Sequence, residues 1–183
     1  MPTATDRDFL DMRISDVRRI SDADREHHVV LLQESESGRR LPIWIGQEHA
    51  LELALRLLGY GPQLTRPLGS DLSARLVQAL GGTVHEVRID RLSEGTYYAV
   101  VVVKGPQGAS EVDARPSDAL GLAMVVGARV RADRGVVETS EADATVAEAL
   151  AAIDRQEAVG AQALLDEIAQ ANEHQAPPEP AGS

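Results

Sequence analysis

The run Tyr97-Tyr-Ala-Val-Val-Val-Val103 has no polar side on which to face water. β-Branched and aromatic residues at this density favour a strand. A strand that is apolar on both sides must be covered on both sides. The segment therefore belongs in the middle of a sheet, and the rest of the chain has to build the strands beside it and the layers over it.

The neighbours read accordingly. Residues 83–92 and 96–104 flank Ser93-Glu94-Gly95 and form a hairpin through that turn. Gly105-Pro-Gln-Gly108 turns the chain into a further strand, residues 110–115. Pro116 then opens a helix to about residue 126, apolar nearly all round and hence buried, and Gly127 ends it. Residues 12–20 and 27–33 read as two strands, the first with a slip in its alternation before Val17. Residues 41–45 read as a third, with Pro42 near its start, where a missing N–H is tolerable. Residues 47–58 place Leu51, Ala54, Leu55 and Leu58 on one helical face, and Gly59-Tyr-Gly-Pro62 stops that helix. Residues 70–80 are a second helix with Leu72, Leu76 and Leu80 on one side. Residues 128–132 and 135–138 read as short extended pieces, and Ser140 with Asp143 as a capped helix start. The expected fold class is α+β: one compact domain with a mixed or antiparallel sheet packed by short helices, plus an acidic C-terminal helical extension.

Charge divides the chain in the same way. Residues 141–183 hold nine acids and one base, Arg155, out of a net charge of −11, so the rest is close to neutral. Its bases are almost all arginine, with Lys104 the single lysine. The expected organisation is a flexible start over residues 1–11, the domain over 12–140, a detachable acidic helical extension over 141–171 and a disordered tail over 172–183. No basic stripe of the kind that grips nucleic acid independently of sequence is present. With no cysteine in the chain, disulfides, thiolate nucleophiles and sulfur-based zinc sites are excluded, and a reducing compartment fits. The start has no secretory pattern. The longest apolar stretch, residues 119–128, is short of the roughly 20 residues that span a bilayer. A cytoplasmic protein with no membrane contact is the expectation.

One segment concentrates chemistry. In Glu111-Val-Asp-Ala-Arg-Pro-Ser-Asp118, Glu111, Asp113 and Arg115 alternate onto one strand face, and the strand ends at once in a helix start. Two readings stand side by side. Carboxylates, an arginine and free helix N–H groups could bind a divalent metal and a phosphate. Alternatively Ser117 or Asp118 caps the helix while Asp113 and Arg115 pair with each other or with a neighbour, and residues alone favour this plainer reading. Asp71, in the first turn of its helix, reads as a cap before a ligand. Glu94 reads as a solvated turn acid, and Asp90 as a cross-strand ion-pair partner of the Glu86–Arg88 face. None of the five histidines shows an acid–base partner, and His49 lacks the i+4 histidine of a zinc helix.

Several phrases together resemble the bifunctional nuclease domain family: Leu41-Pro-Ile-Trp-Ile-Gly46, Arg66-Pro67-Leu68 with Asp71-Leu72, and Leu80-Gly-Gly-Thr-Val84. Ile89-Asp-Arg-Leu-Ser-Glu-Gly-Thr-Tyr-Tyr-Ala99 and Val112-Asp-Ala-Arg-Pro-Ser-Asp-Ala119 complete the set. The resemblance implies a compact, self-associating α+β domain that cleaves RNA and DNA. It implies Asp71, Asp113, Arg115 and Asp118 as catalytic residues, with Arg66, Arg115 and Ser117 on substrate and Asp90 and Glu94 in second rank. On this reading Asp113 and Asp118 hold Mg²⁺ or Mn²⁺, and no organic cofactor is called for. Many relatives carry a histidine where this chain has Ser70, which sets a non-catalytic binding or regulatory module against the nuclease. In that module the acidic extension recruits a protein partner. A third expectation is that the extension mimics nucleic acid and competes for the site.

Overall fold

The apolar run lies where its composition requires. It belongs to β5 (Thr96–Gly105), flanked by β4 (Thr83–Ser93) and β6 (Gly108–Ala114) in an eight-stranded sheet. The computed structural model describes residues 8–22, 25–61, 66–155 and 157–174. The remaining strands are β1 (Phe9–Asp22), β2 (Arg25–Glu34), β3 (Arg40–Ile45), β7 (Arg129–Asp133) and β8 (Val159–Gly160). The order across the sheet is β3-β2-β1-β7-β4-β5-β6. All pairings are antiparallel except β4–β7, so the sheet is mixed. β1 uses one edge twice: Phe9–Met12 pairs β7 and Arg18–Arg19 pairs β8.

The slip expected before Val17 is a register shift between Ile14 and Asp16 in the β1–β2 ladder. It returns Val17 to the interior, where it is fully buried. The β4–β5 turn carries Glu94 and Gly95 at φ 50° and 74°. Two consecutive positive φ values match the twist of the flanking strands. β4 also shifts register between Ile89 and Arg91, so Asp90 stands at a bulge and leaves the Glu86–Arg88 alternation. Arg88 forms ion pairs with Glu86 and Glu111.

Among the described residues six helices accompany the sheet: α1 (Gln47–Leu57), α2 (Gly69–Ala79), α3 (Pro116–Val126), α4 (Arg134–Glu141), α5 (Ala144–Asp154) and α6 (Ala161–His174). α3 is buried on most sides, as its apolar circumference demands, and ends on Gly127 at φ 68°. Its Leu120 joins Leu53 of α1 and Val30, Leu41, Ile43, Val87 and Ile89 of the sheet in the main core. Burying each such side chain contributes about 1.5–3 kcal/mol.

Two local readings are corrected. Residues 135–138 are helical in α4, where the Asp133 carboxylate accepts from Gly135 N at 2.9 Å. Val136 and Val137 are β-branched and suggest a strand, but their burial against the core outweighs that weak propensity. Asp143, rather than Ser140, caps the next helix by accepting from Thr145 N at 2.8 Å. Ser140 is buried and shares a 2.8 Å hydrogen bond with the Tyr97 hydroxyl.

The C-terminal helices meet the arginines of the first strands. Glu141 takes Arg39, Asp154 takes Arg40 and Glu167 takes Arg19, each through two hydrogen bonds of 2.5–3.0 Å. Among the described residues no helix is long and apolar enough to cross a membrane. Gln156 and the C-terminal residues 175–183, most of the expected disordered tail, lie outside the described residues.

Candidate active site

Three helix starts converge on one side of the sheet. Gly46 ends β3 and the chain turns directly into α1, whose positions 49, 52 and 56 carry His, Glu and Arg at three- and four-residue spacing. Such residues share a helical face. α2 brings Ser70 and Asp71 in its first turn, and α3 brings Ser117 and Asp118 in its own. Pro116 opens α3 because its fixed φ suits the first helical position.

The outer part of the site joins α1 to α3. His49 Nε2 lies 3.0 Å from Asp118 Oδ1, and Arg115 Nε donates to Asp118 Oδ2 at 2.7 Å. Arg115 Nη2 also stands 3.4 Å from His49 Nε2. In the tautomer whose Nε2 donates to Asp118, the lone pair is on Nδ1, on the side of Gly46. Burial pushes the Asp118 carboxyl up, but hydrogen bonds from Arg115 and His49 outweigh this and hold it below the usual carboxylate value.

The inner part ties α1 to α2. Arg56 Nη2 donates to Glu52 Oε1 at 3.0 Å, Ser70 Oγ at 2.8 Å and Asp71 Oδ2 at 2.9 Å. Ser70 in turn bonds Glu52. Asp71 caps its helix by accepting from Leu68 N at 2.8 Å. Burial raises the Asp71 carboxyl, and the bonds from Arg56 and Leu68 more than offset it, so its pKa is lowered.

Two adjoining clefts open here and share His49 and Ser117. One, of about 350 Å³, is acidic, lined by Glu48, Glu52 and Asp118 with Ser70. The other, of about 390 Å³, lies between β3, the β4–β5 turn and the start of α3, and has no carboxylate in its lining. Its ionisable groups are His49, Tyr97 and Arg115.

The residues singled out from sequence are thus partly gathered. Asp118, Arg115 and Ser117 meet at the start of α3, and Asp71 stands behind them in the inner network. Neither Ser117 nor Asp118 caps α3, whose N-cap is Arg115 without a side-chain bond. Asp113 is placed apart. It pairs with Val100 on the edge strand β6, and alternation turns it away from the core against which its neighbour Ala114 packs. The two residues implied as metal ligands, Asp113 and Asp118, thus stand on different elements, β6 and the start of α3, and a divalent metal ion would have to bridge them. Among the described residues no group of three or more histidines and carboxylates is placed to hold one. Arg66 is exposed ahead of α2, and Glu94 is exposed in its turn.

His49 is the residue that sequence reasoning passed over, having found no histidine with an acid–base partner. Its partner is 69 positions away. Glu52 and Arg56 were passed over as well. The one local signal was the 49–52–56 spacing, which alone reads as an ordinary solvated helix face.

The family model of the bifunctional nuclease domain matches residues 30–145. Two proteins of Mycobacterium tuberculosis, from strains CDC 1551 and H37Rv and each called uncharacterized, are 42% identical to the chain over 109 residues. The alignment covers 60% of this chain and 63% of each relative, so the chain spans less than two thirds of their length. The phrases that form β3, the β4–β5 hairpin and the start of α3 all fall within the matched region, and the chain belongs to the bifunctional nuclease domain family.

Proposed function

We propose that this chain hydrolyses phosphodiester bonds in RNA, DNA or both, with His49, Asp118 and Arg115 at the reacting centre. The observation that carries the reading is the His49–Asp118 contact of 3.0 Å at the rim of a cleft free of carboxylates. A histidine held by a carboxylate through one ring nitrogen offers the other as a base. In the proposed step His49 Nδ1 takes a proton from water while that water's oxygen bonds to phosphorus. The P–O bond to the leaving sugar breaks, and the departing oxygen takes its proton from solvent. Arg115 faces the charge that grows on the phosphoryl oxygens. The inner network keeps Ser70 and Asp71 in a positioning role, so Ser70 need not replace a histidine: His49 supplies the imidazole.

A second reading, a non-catalytic binding or regulatory module, draws support from one feature. Arg115 and His49 are already engaged with Asp118, and the domain around them is near neutral.

The test is cleavage of single-stranded RNA and DNA by the wild type, His49→Ala, Asp118→Asn and Asp113→Asn. It is run with Mg²⁺, with Mn²⁺ and with EDTA, because the family resemblance implies a divalent metal on Asp113 and Asp118. His49→Ala is expected to lose about 10²–10⁴-fold in rate. Asp118→Asn is expected to lose at least about 10²-fold, and Asp113→Asn to cut like the wild type. Equal cutting by the wild type and His49→Ala overturns the assignment. No cutting by folded wild type moves the conclusion to the binding module. Self-association and a protein partner for residues 141–183 are further parts of the proposal, checked by sedimentation of the full chain.

A further inference from the structure

We infer that the carboxylate-free cleft seats a single unpaired nucleotide, which makes single-stranded nucleic acid the substrate class of the site. The nature of the ligand rests on the nuclease reading, while the place rests on separate observations. The Ser117 side chain is the first. The residue is 8% exposed and lines both clefts, yet among the described residues its hydroxyl meets no hydrogen-bond partner. A hydroxyl that meets the water of a cleft and no protein partner is placed to bond a ligand oxygen in that water's stead.

The second observation is the chemistry of the walls. Ile43, Ile45 and Pro116 give an apolar lining, and Arg115 stands at its edge with a side chain 71% exposed, free to turn from Asp118 toward a phosphate. A cleft of about 390 Å³ is in the range that encloses a small molecule. The third is charge. The domain that holds the cleft is near neutral and has no basic stripe to track many phosphates of a duplex, which leaves affinity to a local site such as this one. A base enters such a site only when unpaired and unstacked.

The experiment is calorimetric titration of the full chain with a set of nucleoside 5′-monophosphates, the matching nucleosides and inorganic phosphate. A nucleotide is expected to bind at least about 10-fold more tightly than either of its parts, since base and phosphate are held together. Ser117→Ala is expected to weaken it about 5- to 10-fold with an unchanged thermal midpoint, because the hydroxyl has no protein partner to lose. Thr96→Trp, at the exposed cleft mouth, is expected to weaken the nucleotide more than about 10-fold and leave phosphate binding unaltered. A single-stranded oligonucleotide is expected to outbind its own duplex by a similar factor. Nucleotide and phosphate binding alike, or nucleotide binding that is absent or indifferent to Ser117→Ala, overturns the inference. Equal affinity for single strand and duplex does the same. Binding with these effects but no cleavage by the wild type removes the nuclease reading and keeps the site. Cleavage without nucleotide binding removes the inference alone.

Discussion

α1 and α2 are each 11 residues long and both reach the candidate site, yet they are held in place in opposite ways. α1 buries Ala50, Leu53 and Ala54 in the main core. α2 buries only Ser70, and the leucines at 72, 76 and 80 that lie on one side are 54%, 54% and 81% exposed. Ala74 packs against the core from one side, and the first turn is held by polar bonds: Asp71 and Ser70 on Arg56, whose side chain is 7% exposed, and Asp71 on Leu68 N. An apolar stripe therefore identifies a helix without saying that the stripe is what docks it. Ala74 and the hydrogen-bonded end of α2 do that instead, and it is that end that borders the site.

The contrast can be broken at several strengths. The largest expected effect is on the α1 side, where Leu53→Ala opens a cavity in a core residue that is 1% exposed. It should cost about 2–5 kcal/mol in urea unfolding. A loss below about 1 kcal/mol would mean that α1 is not core-anchored. Next is Arg56→Leu, which leaves Glu52 and Asp71 facing each other without their shared cation. Breaking a buried pair by removing one partner costs about 3 kcal/mol, and the partial exposure of both carboxylates sets that as an upper figure. If stability hardly moves, the polar anchor of α2 is not what the geometry indicates.

pH separates the two helices more gently. Asp71 is depressed in the folded state, so its contribution is complete above the ordinary carboxylate value and is lost as pH falls through the lower folded value. Stability of the wild type should therefore drop below about pH 4, and Asp71→Asn should flatten that drop. A curve of unchanged shape in the variant would show that the Arg56–Asp71 bond carries no linkage. The smallest effects belong to the exposed stripe. Leu72→Ser and Leu76→Ser remove side chains already in water and should shift stability by no more than about 0.5 kcal/mol. A cost near that of Leu53→Ala would show that another surface covers α2 in solution.

Legibility followed the range of the forces. β5, its hairpin with β4 and the buried α3 could be read in advance because a continuous apolar run, a Ser-Glu-Gly turn and a Pro-to-Gly frame are each local. The slip in β1 was visible too, since a bulge is the way to bring Val17 back inside after the alternation fails. α4 was misread because Val136 and Val137 favour strands locally, and burial against a distant core reversed that preference. In the site, the Arg115–Asp118 bond spans three residues and lay within reach of the motif. The plainer sequence reading allowed Arg115 a neighbouring carboxylate and finds it in Asp118, but it expected Ser117 or Asp118 to cap the helix, and neither does.

By itself, the order of residues determined that a sheet forms around 97–103, that a helix starts at Pro116 and that an acidic segment follows residue 140. Periodicity, propensity and turn chemistry act over a few residues and are written directly in the chain. Only the tertiary structure decided that His49 meets Asp118, that Asp113 is turned away, and that α2 shows its leucines to water. Those outcomes depend on how α1, α2 and α3 are set against one sheet. That arrangement is a compromise among all the buried surfaces at once, and no short stretch of sequence contains it.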